Sequence, residues 1–287
     1  MFTVYKFLND RLLRIYWLIM EHKPKIDPRN KLNALTGREW IQFTKSWFIA
    51  DGKPSDISHE IELHPASFPP PMIKEFIQFF TKPGEHVIDP FLGTGSTLVA
   101  CDECERTGVG IELYEKYANT AKSRTDQKIF IGDAREIISD LKKKKYSFEL
   151  CITSPPYWNI LRKNKDYNQK LRAKKGLDLK YGENESDFGL ISSSDVFLNE
   201  LVSFFKNVAT ILTKKGHLIV FIQNIREKGE TIPLAFEITL ELQKSTKYKF
   251  LGERIWLQNQ KVLRPYGYPF SFVSNVHHHY CLVFQKQ

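Results

Sequence analysis

Cysteine is scarce in this chain, acids are outnumbered, and no stretch stays apolar for long. Four cysteines among 287 residues are too few for a disulfide scaffold, and none joins histidines in a zinc-knuckle arrangement. Cys101 and Cys104 do read CxxC, but on a stretch expected to be helical and without a second ligand pair. Structural zinc is not expected, and a reducing cytoplasm is the expected setting. The most apolar early stretch, Phe2 to Met20, is broken by Asp10, Arg11 and Arg14. It is therefore expected neither to span a bilayer nor to act as a signal peptide. Its Val4, Leu8, Leu12, Ile15 and Ile19 recur at helical spacing and predict an amphipathic helix. Internal repeats and low-complexity segments are also missing.

A composition of 42% hydrophobic and 26% charged residues excludes a disordered or fibrous chain. Lysine and arginine total 42 against 33 acids, a formal charge of +9. Two short stretches hold more than that surplus: residues 161–180 carry +6 and residues 244–287 carry +6. The first, LRKNKDYNQKLRAKKGLDLK, has no apolar period and reads as a long basic loop. A polyanion partner is one reading, because cations near phosphates release counterions; a solvated loop without a partner is the other.

Strands and helices alternate along the rest. Residues 1–60 read as helix-rich, with Leu32, Leu35, Trp40, Phe43 and Trp47 as apolar anchors, and both tryptophans are expected in the core. Prolines at 65 and 69–71 form a connector, and Pro71 suits the first turn of the helix MIKEFIQFF. HVID, GVGIE, KIFIG, FELCITS and HLIVFIQ read as five strands, with helices over 97–104, 114–124 and 195–213 between them. PLAFEITLELQK is a helix, and KFLGERIWLQ and HHYCLVFQK are two closing strands. This alternation predicts an α/β fold with a mainly parallel, doubly wound sheet.

Two motifs fall at strand ends, where open α/β sheets bind ligands. DPFLGTGST, Asp89 to Thr97, follows the first strand, and its glycines would let backbone amides approach a ligand. It lacks the G-K-[ST] lysine of a phosphate loop. Glu112 ends the second strand, where a carboxylate could accept from both ribose hydroxyls. Asp133 follows the third and could meet an adenine amino group. Each acid alone reads equally as a helix cap or a loop residue; three at successive strand ends read as a site. The second motif, TSPPYWN, Thr153 to Asn159, follows the fourth strand. Its prolines fix an extended turn that points carbonyls and the following aromatic ring into the cleft, the other reading being a rigid turn with a buried tyrosine. His277, His278 and His279 lie on a strand, where neighbours face opposite sides, so no metal site is assigned.

DPFLGTGST and TSPPYWN resemble the cofactor and catalytic motifs of the amino-methyltransferases that use S-adenosylmethionine on DNA bases. HPASFPP, His64 to Pro70, is similar to the family's segment before the cofactor motif, and the closing strands are similar as well, so the resemblance covers roughly residues 60–287. It implies a Rossmann-like, seven-stranded methyltransferase sheet over 61–287, with a basic insertion at about 161–194 and a helical extension at 1–60 that could recognise DNA. It implies a cofactor site of His64, Phe68, Asp89, Pro90, Phe91, Gly93, Gly95, Ser96, Thr97, Glu112, Asp133 and Ala134. It places catalysis on Ser154, Pro155, Pro156 and Tyr157.

In that scheme Ser154 and the Pro155 carbonyl accept from the target amine, and Tyr157 stacks on a base flipped out of the helix. Arg162, Lys163, Lys165 and Lys170 would meet phosphates. Serine before Pro-Pro-Tyr is more typical of cytosine N4 than of adenine N6 methylation. Carbon-5 methylation is excluded, because no cysteine follows a proline. The cofactor motif leads here, unlike the commonest order for DPF-type loops. A restriction-modification or related defence role, with a cognate endonuclease, is the implied setting. An RNA cytosine amino-methyltransferase and a non-catalytic nucleic-acid-binding relative are the alternatives.

Overall fold

The computed structural model describes residues 25–50, 68–156, 158, 174, 178, 182–191, 193–227 and 230–287. The expected helix over Phe2–Met20 lies outside them. The first helix, α1 (Gly37–Phe43), opens on a capping box in which Thr36 and Glu39 satisfy each other's backbone amides. It is followed by β1 (Trp47–Ile49) and by α2 (Pro70–Phe80), whose prolines occupy its first turn. Met72, Ile73, Phe76, Ile77 and Phe80 line one buried face of α2.

Next come β2 (His86–Asp89), α3 (Ser96–Glu103), β3 (Thr107–Glu112), α4 (Glu115–Lys122), β4 (Lys128–Ile131), α5 (Ala134–Lys143) and β5 (Phe148–Thr153). The chain continues with a 3-10 turn at Phe188–Leu190, α6 (Ser194–Val208), β6 (Leu212–Ile222), a small hairpin of β7 (Ile225–Glu227) and β8 (Glu230–Ile232), and α7 (Leu234–Lys244). It closes with β9 (Tyr248–Leu257) and β10 (His278–Lys286).

Eight strands form one sheet in the order β1-β9-β10-β6-β5-β2-β3-β4. All neighbours run parallel except β10, which is antiparallel to both β6 and β9. Strand alternation divides the core into two layers. Leu218, Val220 and Ile222 of β6, with Leu282 and Phe284 of β10, face α5, α6 and α7. Ile219, Phe221, Cys281 and Val283 face α1, α2 and α3. The predicted doubly wound α/β sheet is thus observed, with the switch point at β2, whose neighbours β3 and β5 lead to opposite edges.

Two sequence expectations need correction. The sheet has an eighth strand, β1, drawn from a stretch read as helical, and Trp47 on it is 43% exposed rather than core. The apolar spacing of α1 runs on in sequence through Trp47, but the backbone leaves the helix at Thr44 and joins β9 three residues later. Trp40 does pack, against Phe79 at 4.8 Å between ring centroids. The hairpin β7–β8 was not anticipated. On β10 the histidines diverge as expected: His279 stacks on Trp256, while His278 meets Tyr280. Among the described residues no helix is long and apolar enough to cross a membrane, and no group of acids, histidines or cysteines is placed to hold a metal ion.

Candidate active site

A cleft opens at the carboxyl ends of β2, β3 and β5, beside the switch point. Phe68, Asp89, Pro90, Phe91, Gly93, Ser96, Thr97, Glu112, Asp133, Ala134, Ser154 and Pro156 all line it. Gly95 and Pro155 do not line it. Tyr157, His64, Arg162, Lys163, Lys165 and Lys170 lie outside the described residues.

The glycine loop packs closely against its neighbours α4 and β3. Gly95 caps α3 at φ +91°, and a Cβ there would sit 2.9 Å from Ala121 Cβ. Only glycine meets both demands. The Gly93 amide donates to Glu112 Oε2 at 2.7 Å, and the Leu92 amide donates to the Ile111 carbonyl at 2.9 Å. The loop is thereby tied to β3.

Asp89, buried at the end of β2, spends its carboxylate on its own chain. Oδ1 accepts from Thr153 Oγ1 at 2.6 Å and from the Phe91 amide at 3.0 Å, and Oδ2 accepts from Thr97 Oγ1 at 2.6 Å. Burial pushes its pKa up, and these three bonds act in the opposite sense. Its role in the cleft is to join the glycine loop to the strand end that carries Ser154.

Glu112 accepts one backbone bond on each oxygen, from Gly93 and from Tyr114 at 2.9 Å. Burial raises its pKa to about 7. A carboxylate has about four lone-pair sites, so two remain for a ligand. Asp133 caps α5, accepting from the Arg135 amide, and its two oxygens also face the Arg135 guanidinium at 2.7–3.0 Å. Burial opposes its charge, but Arg135 outweighs burial and holds the carboxyl below its usual range. Phe91 is wedged between Phe188 and Phe204, with ring centroids 5.5 and 5.1 Å away.

The far wall of the cleft is Ser186, Asp187 and Phe188, which sequence reasoning missed, together with Tyr114. Tyr114 Oη donates to Asp187 Oδ2 at 2.8 Å, a contact spanning 73 residues. Asp178, within the basic stretch, is held by Lys116 at 2.7 Å and by the Tyr117 hydroxyl at 2.9 Å. Tyr114, two residues beyond the acid that ends β3, could have been singled out by position; Asp187 left no local signal. Trp158, four residues after Ser154, is buried and donates through Nε1 to the Ile191 carbonyl at 2.7 Å.

The model of the family described as DNA methylase matches residues 16–123. Those residues are similar to DNA methylases and make up less than half of the chain. They include Asp89, the glycine loop and Glu112, and they end before β5. Among curated relatives, the type II methyltransferase M.SmaI of Serratia marcescens is 48% identical over 61 residues, 21% of this chain and 21% of that protein. M.MjaI of Methanocaldococcus jannaschii is 38% identical over 94 residues, 32% of this chain and 29% of the relative. M.BglI of Bacillus subtilis is 28% identical over 130 residues, 42% and 36% respectively. The chain therefore spans about a fifth to a third of the length of these methylases. Among solved structures, TrmN from Thermus thermophilus aligns with a TM-score of 0.48 at 13% identity, covering 79% of this chain and 52% of that one.

Proposed function

We propose that this protein transfers a methyl group from S-adenosylmethionine to an exocyclic amino group in DNA, with cytosine N4 as the acceptor. The observation that carries the reading is the Thr153–Asp89–Thr97 connection, which sets the glycine loop and Ser154 on one cleft. Type II methyltransferase relatives support a DNA substrate and a restriction-modification or related defence setting. Serine at 154, ahead of Pro155 and Pro156, supports cytosine over adenine.

The cleft suits the cofactor on its own chemistry. Gly93 lines the cleft with no side chain in the way, Glu112 keeps acceptor capacity for two hydroxyls, and Asp133 offers a carboxylate on the cleft wall. When bound, S-adenosylmethionine supplies a methyl group on a sulfonium, whose loss leaves a neutral thioether.

The work of the chain is positioning. An aromatic amine is a poor nucleophile because its lone pair is delocalised into the ring. Ser154 Oγ and the Pro155 carbonyl accept from the two N–H groups and turn that lone pair toward the methyl group. Tyr157 stacks on the base once it has left the duplex, a step that a buried base makes necessary. The proton released on N–C bond formation passes to solvent, and no covalent intermediate with the enzyme forms.

Nucleoside mass spectrometry tests the reading, after incubation of the protein with labelled S-adenosylmethionine and unmethylated DNA or total RNA. Label in N4-methylcytosine from DNA is the expected result. Label in N6-methyladenine overturns the base, label only in RNA overturns the substrate, and no label in either overturns the activity.

A further inference from the structure

The loop between β9 and β10, residues 258–277, is unusual in what it leaves in solvent. Tyr268 is 81% exposed, and Phe270 and Phe272 are 93% and 94% exposed, with Val262, Leu263 and Tyr266 exposed beside them. Large apolar groups this bare are costly unless something covers them. The loop is not loose. The Gln258 amide donates to the His277 carbonyl at 2.8 Å, and the Asn275 side chain binds both the amide and the carbonyl of Arg264 at 2.9 Å. The Gly267 carbonyl accepts from the amides of Phe270 at 2.7 Å and Ser271 at 2.8 Å. Gly267 sits at φ +75°, and a Cβ there would lie 2.3 Å from the Ser271 carbonyl oxygen. The loop's own backbone therefore holds the rings outward.

Strand register places this loop at the same end of the sheet as the cleft. Thr153 pairs with Val220, Tyr280 with Ile222, and Leu257 with His278. The loop thus leaves the sheet at the same end as Ser154, two to three strands away, or roughly 10–14 Å at the usual strand spacing. Residues 258–277 contain Lys261 and Arg264 but no aspartate or glutamate. Exposed rings with cations and without acids suit a partner that offers stacked planar faces between anionic groups.

We propose that loop 258–277 is a DNA-contacting element in which Phe270 and Phe272 lie against bases flanking the target nucleotide. Lys261 and Arg264 meet the adjoining phosphates. The inference rests on the DNA methyltransferase reading above and adds to it a recognition surface separate from the cleft. A base that leaves the duplex uncovers its neighbours, and an apolar side chain inserted at that step restores contact to them. Rings serve any sequence, because every base has a π-face. The cations set the register on the backbone.

The parent protein, the Phe270→Ala/Phe272→Ala variant and the Lys261→Ala/Arg264→Ala variant are titrated with a labelled mixed-sequence duplex at several salt concentrations. The phenylalanine variant is expected to bind at least ~10-fold more weakly with an unchanged salt slope, since rings release no counterions. The cation variant is expected to lose roughly two from the slope of log K against log salt. Unchanged S-adenosylmethionine affinity by calorimetry and an unchanged melting temperature establish that both variants are folded. If the parent binds the duplex and methylates DNA but the phenylalanine variant binds it equally well, the loop inference fails alone, and the rings belong to a protein or lipid partner. A parent that neither binds the duplex nor methylates DNA brings down both readings.

Discussion

Thr153 donates its hydroxyl to Asp89 Oδ1 at 2.6 Å, and this bond joins two strand ends that lie 64 residues apart in sequence. Asp89 ends β2 and steers the glycine loop; Thr153 ends β5 and immediately precedes Ser154. The two halves of the cleft thus share one carboxylate, with Thr97 on its other oxygen. Thr153→Val keeps the shape and removes one donor. The buried carboxylate then loses a partner, which is expected to cost about 1–3 kcal/mol in urea denaturation. Methyl transfer should fall by about 10-fold or more, because small misplacements of reacting groups are amplified, while S-adenosylmethionine affinity changes less. A larger fall in affinity than in turnover would show that the bond serves the glycine loop and not the catalytic turn.

Gly95 and Gly84 separate two costs of a left-handed residue. Both have positive φ, +91° and +82°, but a Cβ on Gly95 meets Ala121, whereas one on Gly84 meets nothing within 4 Å. Gly84→Ala should lose about 1–2 kcal/mol from strain alone. Gly95→Ala carries strain plus the clash, so its melting temperature should drop further and cofactor binding should be lost. Equal melting temperatures for the two variants would place α4 farther from the glycine loop than the structure has it.

Glu112 makes both stability and cofactor binding depend on pH. Its native pKa is lifted from 4.5 to about 7 by burial. As pH rises from about 4.5 to 7, the unfolded carboxyl releases its proton before the native one does. The unfolded state then binds fewer protons, and stability of the cofactor-free protein falls across that window and levels above it. A cofactor that donates two hydroxyls favours the ionised form, so its affinity should rise with pH through about 7. Calorimetry in two buffers of different ionisation enthalpy should detect proton release on binding below pH 7. Glu112→Gln should bind more weakly with no such release. Release that persists in the variant would assign the proton to another group.

The glycine loop, the acids at the ends of β2 and β3 and the Pro-Pro turn were legible because each is local: glycine where φ turns positive, an acid at the last position of an apolar run, proline after a strand. The closing strands were legible as short runs rich in β-branched and aromatic residues. β1 was not, since three residues cannot establish a period and they continue the spacing of the helix before them. Nor was the wall from Ser186 to Phe188, which belongs to the site only because Tyr114 reaches it across 73 residues. Asp133 was legible as an acid at the right strand end, but not as the partner of Arg135, since the same two-residue spacing serves both the cap and the ion pair.

That double duty allows Asp133 to be divided experimentally. As the cap of α5 it accepts from the Arg135 amide, and as a carboxylate it lines the cleft. Asp133→Ala removes both roles and should cost about 1 kcal/mol of stability from the cap alone. Asp133→Ser keeps a capping oxygen and should recover most of that stability, yet bind S-adenosylmethionine as weakly as the alanine variant. A serine variant with restored affinity would reduce Asp133 to a helix cap, and the adenine contact would fall.

Tyr114 and Asp187 close the cleft on its far side. The Gly182 backbone lies against the Tyr114 ring so closely that a Cβ there would sit 2.0 Å from Cε1, and the hydroxyl reaches Asp187 Oδ2 at 2.8 Å. Asp187 Oδ1 in turn accepts from the Gly189 amide at 2.7 Å, which sets the turn that presents Phe188 to Phe91. Burial and the adjacent Asp187 carboxylate both push the Tyr114 phenol well above its usual pKa, so it stays a donor at any working pH. Tyr114→Phe leaves a buried carboxylate oxygen without its donor and should cost about 1–3 kcal/mol. Because the wall is also part of the cleft, cofactor affinity should fall with stability. Combining Tyr114→Phe with Asp187→Ala should cost less than the two changes summed, by about 0.5–3 kcal/mol for a directly bonded pair. Additive losses in that cycle would detach the wall from the ring and leave residues 182–191 held by the bond from the Arg135 guanidinium to the Ser186 carbonyl at 3.0 Å and by the Trp158 bond to Ile191.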